Sequence, residues 1–307
     1  MDGRTQTHGG FDVADHLPER MIETRGIEIC SDAYGDPSHP TVLLIMGASA
    51  SMLMWDENFC QRLADGGRFV IRYDNRDTGR TTHCPPGAPD YTLQDMADDA
   101  IAVLDGYGVE QAHIIGASMG GMISQVVGLE HPSRVLTLTP IMSTPDPGAV
   151  MDAMEGREAS YELSPPTPEV MASMLSTLTL DWSDREAVLQ NRLSTFRALA
   201  GSAHAYDEPG RAKLFASEID RAINFASTQN HGPAIEKSER WHQRLGDLDV
   251  PTLVIHGTED GILPYDHGEA LARSIPGAKL LTMEGVGHEL PEGEMDRVIP
   301  AILEHTR

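Results

Sequence analysis

The stretch His113-Ile-Ile-Gly-Ala-Ser118-Met-Gly-Gly121 decides how this chain is read. Residues 111–115 have the apolar run of a short buried strand. Residues 119–130 have the pattern of a helix that stops at His131-Pro132. Between them sits a Gly-x-Ser-x-Gly spacing formed by Gly116, Ser118 and Gly120. The spacing alone arises easily by chance; the strand before it and the helix after it give it weight. A serine on such an elbow is held in a strained backbone conformation so that its hydroxyl projects from the turn. Side chains at Gly116 or Gly120 would collide with neighbouring backbone. Ser118 is therefore the candidate nucleophile.

A serine hydroxyl attacks poorly until a base takes its proton, so a histidine must reach it. Of the thirteen histidines, His288 stands out, in the glycine-loosened segment Glu284-Gly-Val-Gly-His288 after the last expected strand. Catalytic groups in open α/β sheets gather at the carboxyl edge, where Ser118 also falls. His256 is the chief rival, but it ends a strand directly and is better suited to packing or ordering the next loop. His131 stands at a helix end beside Pro132, where a structural role dominates. The base needs an acid to fix its tautomer. Asp260, in His256-Gly-Thr-Glu-Asp260-Gly261, is favoured over its neighbour Glu259 by strand alternation and by the following Gly-Ile-Leu-Pro264. A tetrahedral oxyanion needs two fixed N–H donors. The amide of Met119, next to the nucleophile, supplies one, and the amide of Ala48, in the loop Met46-Gly-Ala-Ser49, supplies the other. Just beyond, Met52, Met54 and Trp55 could line an acyl pocket or form plain core.

The rest of the chain fits an α/β fold, in which a mostly parallel sheet is flanked by helices. Apolar strand-like runs at 27–30, 41–45, 68–73, 111–115, 134–138, 251–256 and 279–282 alternate with helical patterns. Thr92-Leu-Gln-Asp95 has capping-box character and opens a helix that runs to Gly106. Between 143 and 244 no convincing strand appears, and proline clusters alternate with Met-, Leu- and Ala-rich helical stretches. That segment is too long for one connection. The division expected is a flexible extension at 1–20, a core at 21–142 and 245–307, and a helical cap at 143–244. The cap carries Met171, Met174, Leu175, Leu178, Phe196, Leu199, Phe215 and Phe225, which suit an apolar pocket for a bulky substrate.

The net charge of -24 argues against nucleic acid and anionic membranes as partners. Cys30, Cys60 and Cys84 are odd in number and scattered, as reduced thiols in a cytoplasm would be. No histidine pair has zinc spacing, and no apolar run reaches the roughly 20 residues of a membrane span. No cofactor or metal is implied. The partner expected is a small-molecule ester, and a homo-oligomer is left open.

Several segments together resemble the α/β-hydrolase superfamily, and more narrowly the bacterial group containing aclacinomycin methylesterase. They are Leu44-Ile-Met-Gly-Ala48, Val70-Ile-Arg-Tyr-Asp-Asn-Arg-Asp-Thr-Gly-Arg80, Gly116-Ala-Ser-Met-Gly120, Pro251-Thr-Leu-Val-Ile255 with Asp260, and Gly285-Val-Gly-His288-Glu-Leu-Pro291. The resemblance spans about residues 22–142 and 245–305, with no comparable match in the insertion. It implies a Ser118–Asp260–His288 triad with the amides of Ala48 and Met119 as oxyanion donors. It also makes Asp74 to Gly79 a loop shaping the sheet edge, with Arg76 and Asp77 as structural ion-pair partners. The expected activity is hydrolysis of a carboxylic ester, lactones included. A cofactor-free haloperoxidase or carbon–carbon bond hydrolase would use the same triad, and a small-molecule receptor would use the same fold without turnover.

Overall fold

The computed structural model describes residues 16–154 and 156–307. Eight strands form one sheet: β1 (His16–Thr24), β2 (Ile27–Tyr34), β3 (Thr41–Ile45), β4 (Phe69–Tyr73), β5 (Ala112–Ala117), β6 (Val135–Ile141), β7 (Leu253–Gly257) and β8 (Lys279–Met283). Their spatial order is β1-β2-β4-β3-β5-β6-β7-β8. The β1–β2 and β2–β4 pairs are antiparallel, and every other pair is parallel. The helices are α1 (Glu57–Asp65), α2 (Leu93–Gly106), α3 (Met119–Glu130), α4 (Ala149–Met154), α5 (Pro168–Ser176), α6 (Arg185–Leu199), α7 (Glu208–Arg221), α8 (His231–Lys237), α9 (Tyr265–Ser274) and α10 (Met295–His305).

The central strands read as unbroken apolar runs because both faces of the sheet are covered. Side chains alternate across a strand, so successive residues enter different cores. Leu43 and Ile45 pack with α2, α3 and α9, whereas Val42 and Leu44 pack with α1 and α10. Helix α2 starts with the capping box the sequence predicts: Thr92 Oγ1 accepts from the Asp95 amide, and Asp95 accepts from the Thr92 amide at 2.8 Å. Met52 and Trp55 are fully buried, and Trp55 is stacked on Phe59 in the α1 side of the core, so Trp55 belongs to the core rather than to a pocket.

Two boundaries differ from the expectation. Residues 16–20, assigned to the extension, open β1, and residues 1–15 of that extension lie outside the described residues. β1 is an edge strand with mostly exposed side chains and an irregular register around Pro18, so it lacks the apolar signature of the others. It joins β2 through Arg25-Gly26, both at positive φ, the two-residue turn that suits a right-twisted hairpin. At the far end of the insertion, α8 and the turn His242–Asp247 leave the cap. Ala234, Trp241 and Leu245 are buried with α2 and α3, and Trp241 Nε1 donates to Gln125 Oε1 at 2.9 Å. A helical pattern marks an apolar face without saying which layer it covers.

Among the described residues no strand interrupts the insertion, and its ends are tied together. Arg240 grips both Asp146 and Asp152, across nearly a hundred residues of chain.

Candidate active site

Ser118 lies between β5 and α3 with φ 53° and ψ -117°, a conformation a non-glycine residue adopts only when its surroundings enforce it. Its amide donates to Ile141 O at 2.8 Å, and its carbonyl accepts from Ser143 Oγ at 3.0 Å and from the Gly121 amide at 2.9 Å. The glycines of the motif are sterically required. A Cβ at Gly116 would stand 2.0 Å from Gly120 O, and one at Gly120 would stand 2.0 Å from Ile45 O.

The carboxyl ends of the next strands are knitted onto this elbow. Met142 donates from its backbone to Ile255 O at 2.8 Å, and Thr258 donates to Met283 O at 3.0 Å. The two loops that follow β7 and β8 carry Asp260 and His288. His288 Nδ1 donates to Asp260 Oδ2 at 2.6 Å. The other carboxylate oxygen of Asp260 accepts from the amides of Ile262 and Leu263 at 3.0 and 2.9 Å. Burial alone would raise the Asp260 pKa. The adjoining His288 charge and hydrogen bonds from His256 and His288 overcome it and hold the carboxyl well below the usual aspartate range. Glu259 points elsewhere, accepting from the amide and hydroxyl of Ser202, each at 2.7 Å. His256 is fully buried, with Nε2 2.8 Å from Leu263 O and 3.4 Å from Asp260 Oδ2. It orders the loop that presents Asp260.

The His288 side chain is 11 % exposed, and Ser118 is half-buried. Among the described residues Ser118 bonds through its backbone and the His288 ring through Nδ1, leaving Ser118 Oγ and His288 Nε2 unbonded. The Met119 amide is the first of α3 and has no acceptor within the helix. The loop bearing Ala48 crosses the elbow closely, with a Cβ at Gly47 standing only 3.1 Å from Ser118 Cβ. The Ala48 amide has no backbone acceptor among the described residues.

The loop after β4 is a structural brace, though not through a mutual ion pair. Arg76 pairs with Asp99 at 2.6 Å, while Asp77 accepts from Tyr91 Oη at 2.6 Å and Asn230 Nδ2 at 2.9 Å. His131 Nε2 bonds Asp98 at 2.8 Å, at the opposite end of α3 from Ser118. Among the described residues no group of three or more His, Cys, Asp or Glu side chains is placed to hold a metal ion. No described helix is long and apolar enough to cross a membrane.

Sequence reasoning named Leu199 only as an apolar cap residue and missed the other residues that the insertion sends to this site. Leu199 O, at the end of α6, accepts from the His288 amide at 2.8 Å. The imidazole of His231, buried and with its pKa lowered chiefly by that burial, accepts at Nδ1 from the Ser49 amide at 2.8 Å. Arg192 and Glu218 reach the same loop. None of these has a local motif; the core residues they meet lie more than 80 residues away in the chain.

A strand–turn–helix serine, with an Asp–His pair on the carboxyl-edge loops after the last two strands, is the architecture of one superfamily. The chain belongs to the α/β-hydrolase fold family, whose pattern matches residues 40–294. It is 33 % identical over 296 residues to the rhodomycin D methylesterase DnrP of Streptomyces peucetius, covering 95 % of this chain and 99 % of the relative. The likeness to a methylesterase therefore continues through the insertion, further than the motif segments alone suggest. In fold it is similar to the esterase RhEst1 from Rhodococcus sp. ECU1013, with a TM-score of 0.73, 19 % identity, and coverage of 94 % of this chain and 98 % of that one. It is also similar to the 2-hydroxy-6-oxo-6-phenylhexa-2,4-dienoate hydrolase from Rhodococcus sp. strain RHA1. There the TM-score is 0.73 at 20 % identity, covering 95 % of this chain and 99 % of that one.

Proposed function

We propose that this protein is a serine esterase that hydrolyses a carboxylic ester, foremost the methyl ester of a bulky, largely apolar acid. The observation that carries the reading is the short His288–Asp260 hydrogen bond on the loops beside the strained Ser118 elbow. Asp260 accepts from Nδ1, so the lone pair of the neutral ring sits on Nε2, the atom that takes the Ser118 proton. Ser118 Oγ then attacks the ester carbonyl, and the amides of Ala48 and Met119 receive the oxyanion. Collapse expels the alcohol, which leaves with the proton from His288, and an acyl-enzyme remains. Water, deprotonated by His288, attacks the acyl carbon and releases the acid and free Ser118. The rhodomycin D methylesterases, similar along nearly the whole chain, support the methyl ester as the scissile group.

The test combines a substrate panel with one variant. Methyl esters of bulky polycyclic acids, short aryl esters and lactones are assayed side by side, and methyl esters of bulky acids are expected to give the highest kcat/KM. Ser118→Ala is expected to lose on the order of 10⁴-fold in kcat with its fold intact. An organophosphonate should label Ser118 alone. Label on another residue, or wild-type turnover by the alanine variant, would overturn the mechanism.

A further inference from the structure

The loop that carries Ala48 is held from the insertion as much as from the core. Glu218, on α7 and 1 % exposed, accepts at Oε1 from the Ser51 amide at 2.7 Å and the Ser51 hydroxyl at 2.8 Å. Its Oε2 accepts from Arg192 Nη2 at 2.6 Å. Arg192, on α6, sends Nη1 to Ser49 O at 2.9 Å. The guanidinium is enclosed by Phe196, Phe215 and Phe225, whose ring centres lie 4.8 to 5.4 Å from it. Ser49 itself sits at φ 57°, with its amide bonded to His231 and its hydroxyl donating to Thr228 O at 3.0 Å.

A buried ion pair in an aromatic enclosure is an expensive way to join two cap helices. Apolar residues of similar volume would join them as well or better, so such a pair calls for a directional task. Here the direction is clear. The carboxylate takes two donors from Ser51, and the guanidinium takes the carbonyl of Ser49, so the pair grips both sides of one turn. The peptide presenting the Ala48 amide is then fixed at one end by Gly47 against Ser118 and at the other by Ser49 and Ser51. We propose that the buried Arg192–Glu218 pair is a positioning device for the oxyanion loop, so that the seating of the cap sets how well the Ala48 amide stabilises the transition state. The pair touches no reacting atom; it acts through Ala48. The proposal rests on the serine-esterase reading above.

The readout must move with the oxyanion contact and not with general stability. An aryl ester is compared with its thiono counterpart, in which sulfur replaces only the carbonyl oxygen. Sulfur accepts hydrogen bonds poorly, so a well-aimed oxyanion amide favours the oxygen ester by roughly 10²-fold in kcat in the wild type. Glu218→Gln is expected to lower kcat on the oxygen ester by about 10- to 100-fold. KM should stay within about twofold, and the oxygen-to-sulfur ratio should shrink by nearly the same factor as kcat. Should Glu218→Gln fail to fold, the double variant Arg192→Met/Glu218→Gln leaves no buried charge unpaired and gives the same readout. Arg185→Gln, which removes an exposed α6–α7 pair with Asp220, is the control and should keep the wild-type ratio. A folded pair variant that retains the full ratio overturns the positioning role alone. A wild type that does not discriminate oxygen from sulfur, or a Ser118→Ala variant that still turns over, overturns the esterase reading on which it rests.

Discussion

At the scale of single residues, the choice between two adjacent acids shows what a motif can and cannot deliver. Asp260 and Glu259 share a loop, but only Asp260 faces the imidazole, and Glu259 is spent on Ser202. Asp260→Asn should therefore cost on the order of 10²- to 10⁴-fold in kcat by presenting the wrong ring tautomer. Glu259→Gln should cost less than about threefold, because it loosens only an exposed contact. The reverse ranking in steady-state kinetics would dismiss the assignment. The sign of the Asp260 shift adds a pH expectation. Its folded value lies below the ordinary aspartate value of about 3.9, so the stability it contributes is complete above that value. That stability is lost only as pH falls through the depressed folded value. Acidifying from pH 8 to pH 5 should leave the Asp260 carboxylate ionised, as its carboxyl carbon shift in NMR would report; titration within that interval would contradict the hydrogen-bonded geometry. The strained position of Ser118 and the Asp260–His288 bond were legible in the sequence because elbows and glycine-flanked loops leave local marks. Arg192, Glu218 and His231 were not, since each meets the Ala48 loop only after the chain has folded back over 140 residues or more.

At the scale of elements, strong local patterns were legible and layer assignments were not. β3 and β5 announce themselves by burying every side chain, and α2 by a capping box written into four residues. β1 escaped because an edge strand faces solvent and tolerates Pro18, and α8 was placed in the cap because amphipathicity is blind to which neighbour it covers. The junction of β5 and α3 gives the sharpest test of element packing. Gly120→Ala would drive a methyl to 2.0 Å from Ile45 O, a backbone atom that cannot swing aside. The expected cost is about 3 kcal/mol, the upper end for overpacking, read as a lower denaturant midpoint, with activity lost as the Ala48 loop is pushed off the elbow. Gly232→Ala in α8 meets nothing within 4 Å and should be neutral or stabilising by up to about 1 kcal/mol. Equal stabilities of the two variants would show that the close approach at Gly120 is not rigid.

At the scale of the whole molecule, on the proposed esterase reading the core would offer groups that fit any ester carbonyl, and discrimination would then fall to the helices of the insertion. The apolar residues of that cover divide by environment. Phe215 is fully buried and, with Phe196 and Phe225, encloses Arg192, so these three hold the cap together. Met174, Leu175 and Leu178 are 46 %, 59 % and 78 % exposed, at and just beyond the end of α5. Helix α5 begins on the acid loop itself, where the Thr167 amide donates to Gly261 O at 2.8 Å. On the proposed esterase reading, these exposed apolar side chains, on and just past a helix whose start is tied to the loop bearing Asp260, are the expected surfaces for a bulky acyl group, each gaining by leaving water. Met174→Ala and Leu178→Ala should therefore raise KM for a bulky apolar methyl ester by the equivalent of roughly 1–3 kcal/mol each, and leave a short aryl ester within about twofold. Phe215→Ala should behave differently. It removes a buried ring, costs about 3–5 kcal/mol of stability, and depresses turnover of large and small esters alike through the oxyanion loop. If Met174→Ala and Leu178→Ala instead weakened small and large esters equally, α5 would be only a structural cover, and the selectivity would have to reside in the sheet edge.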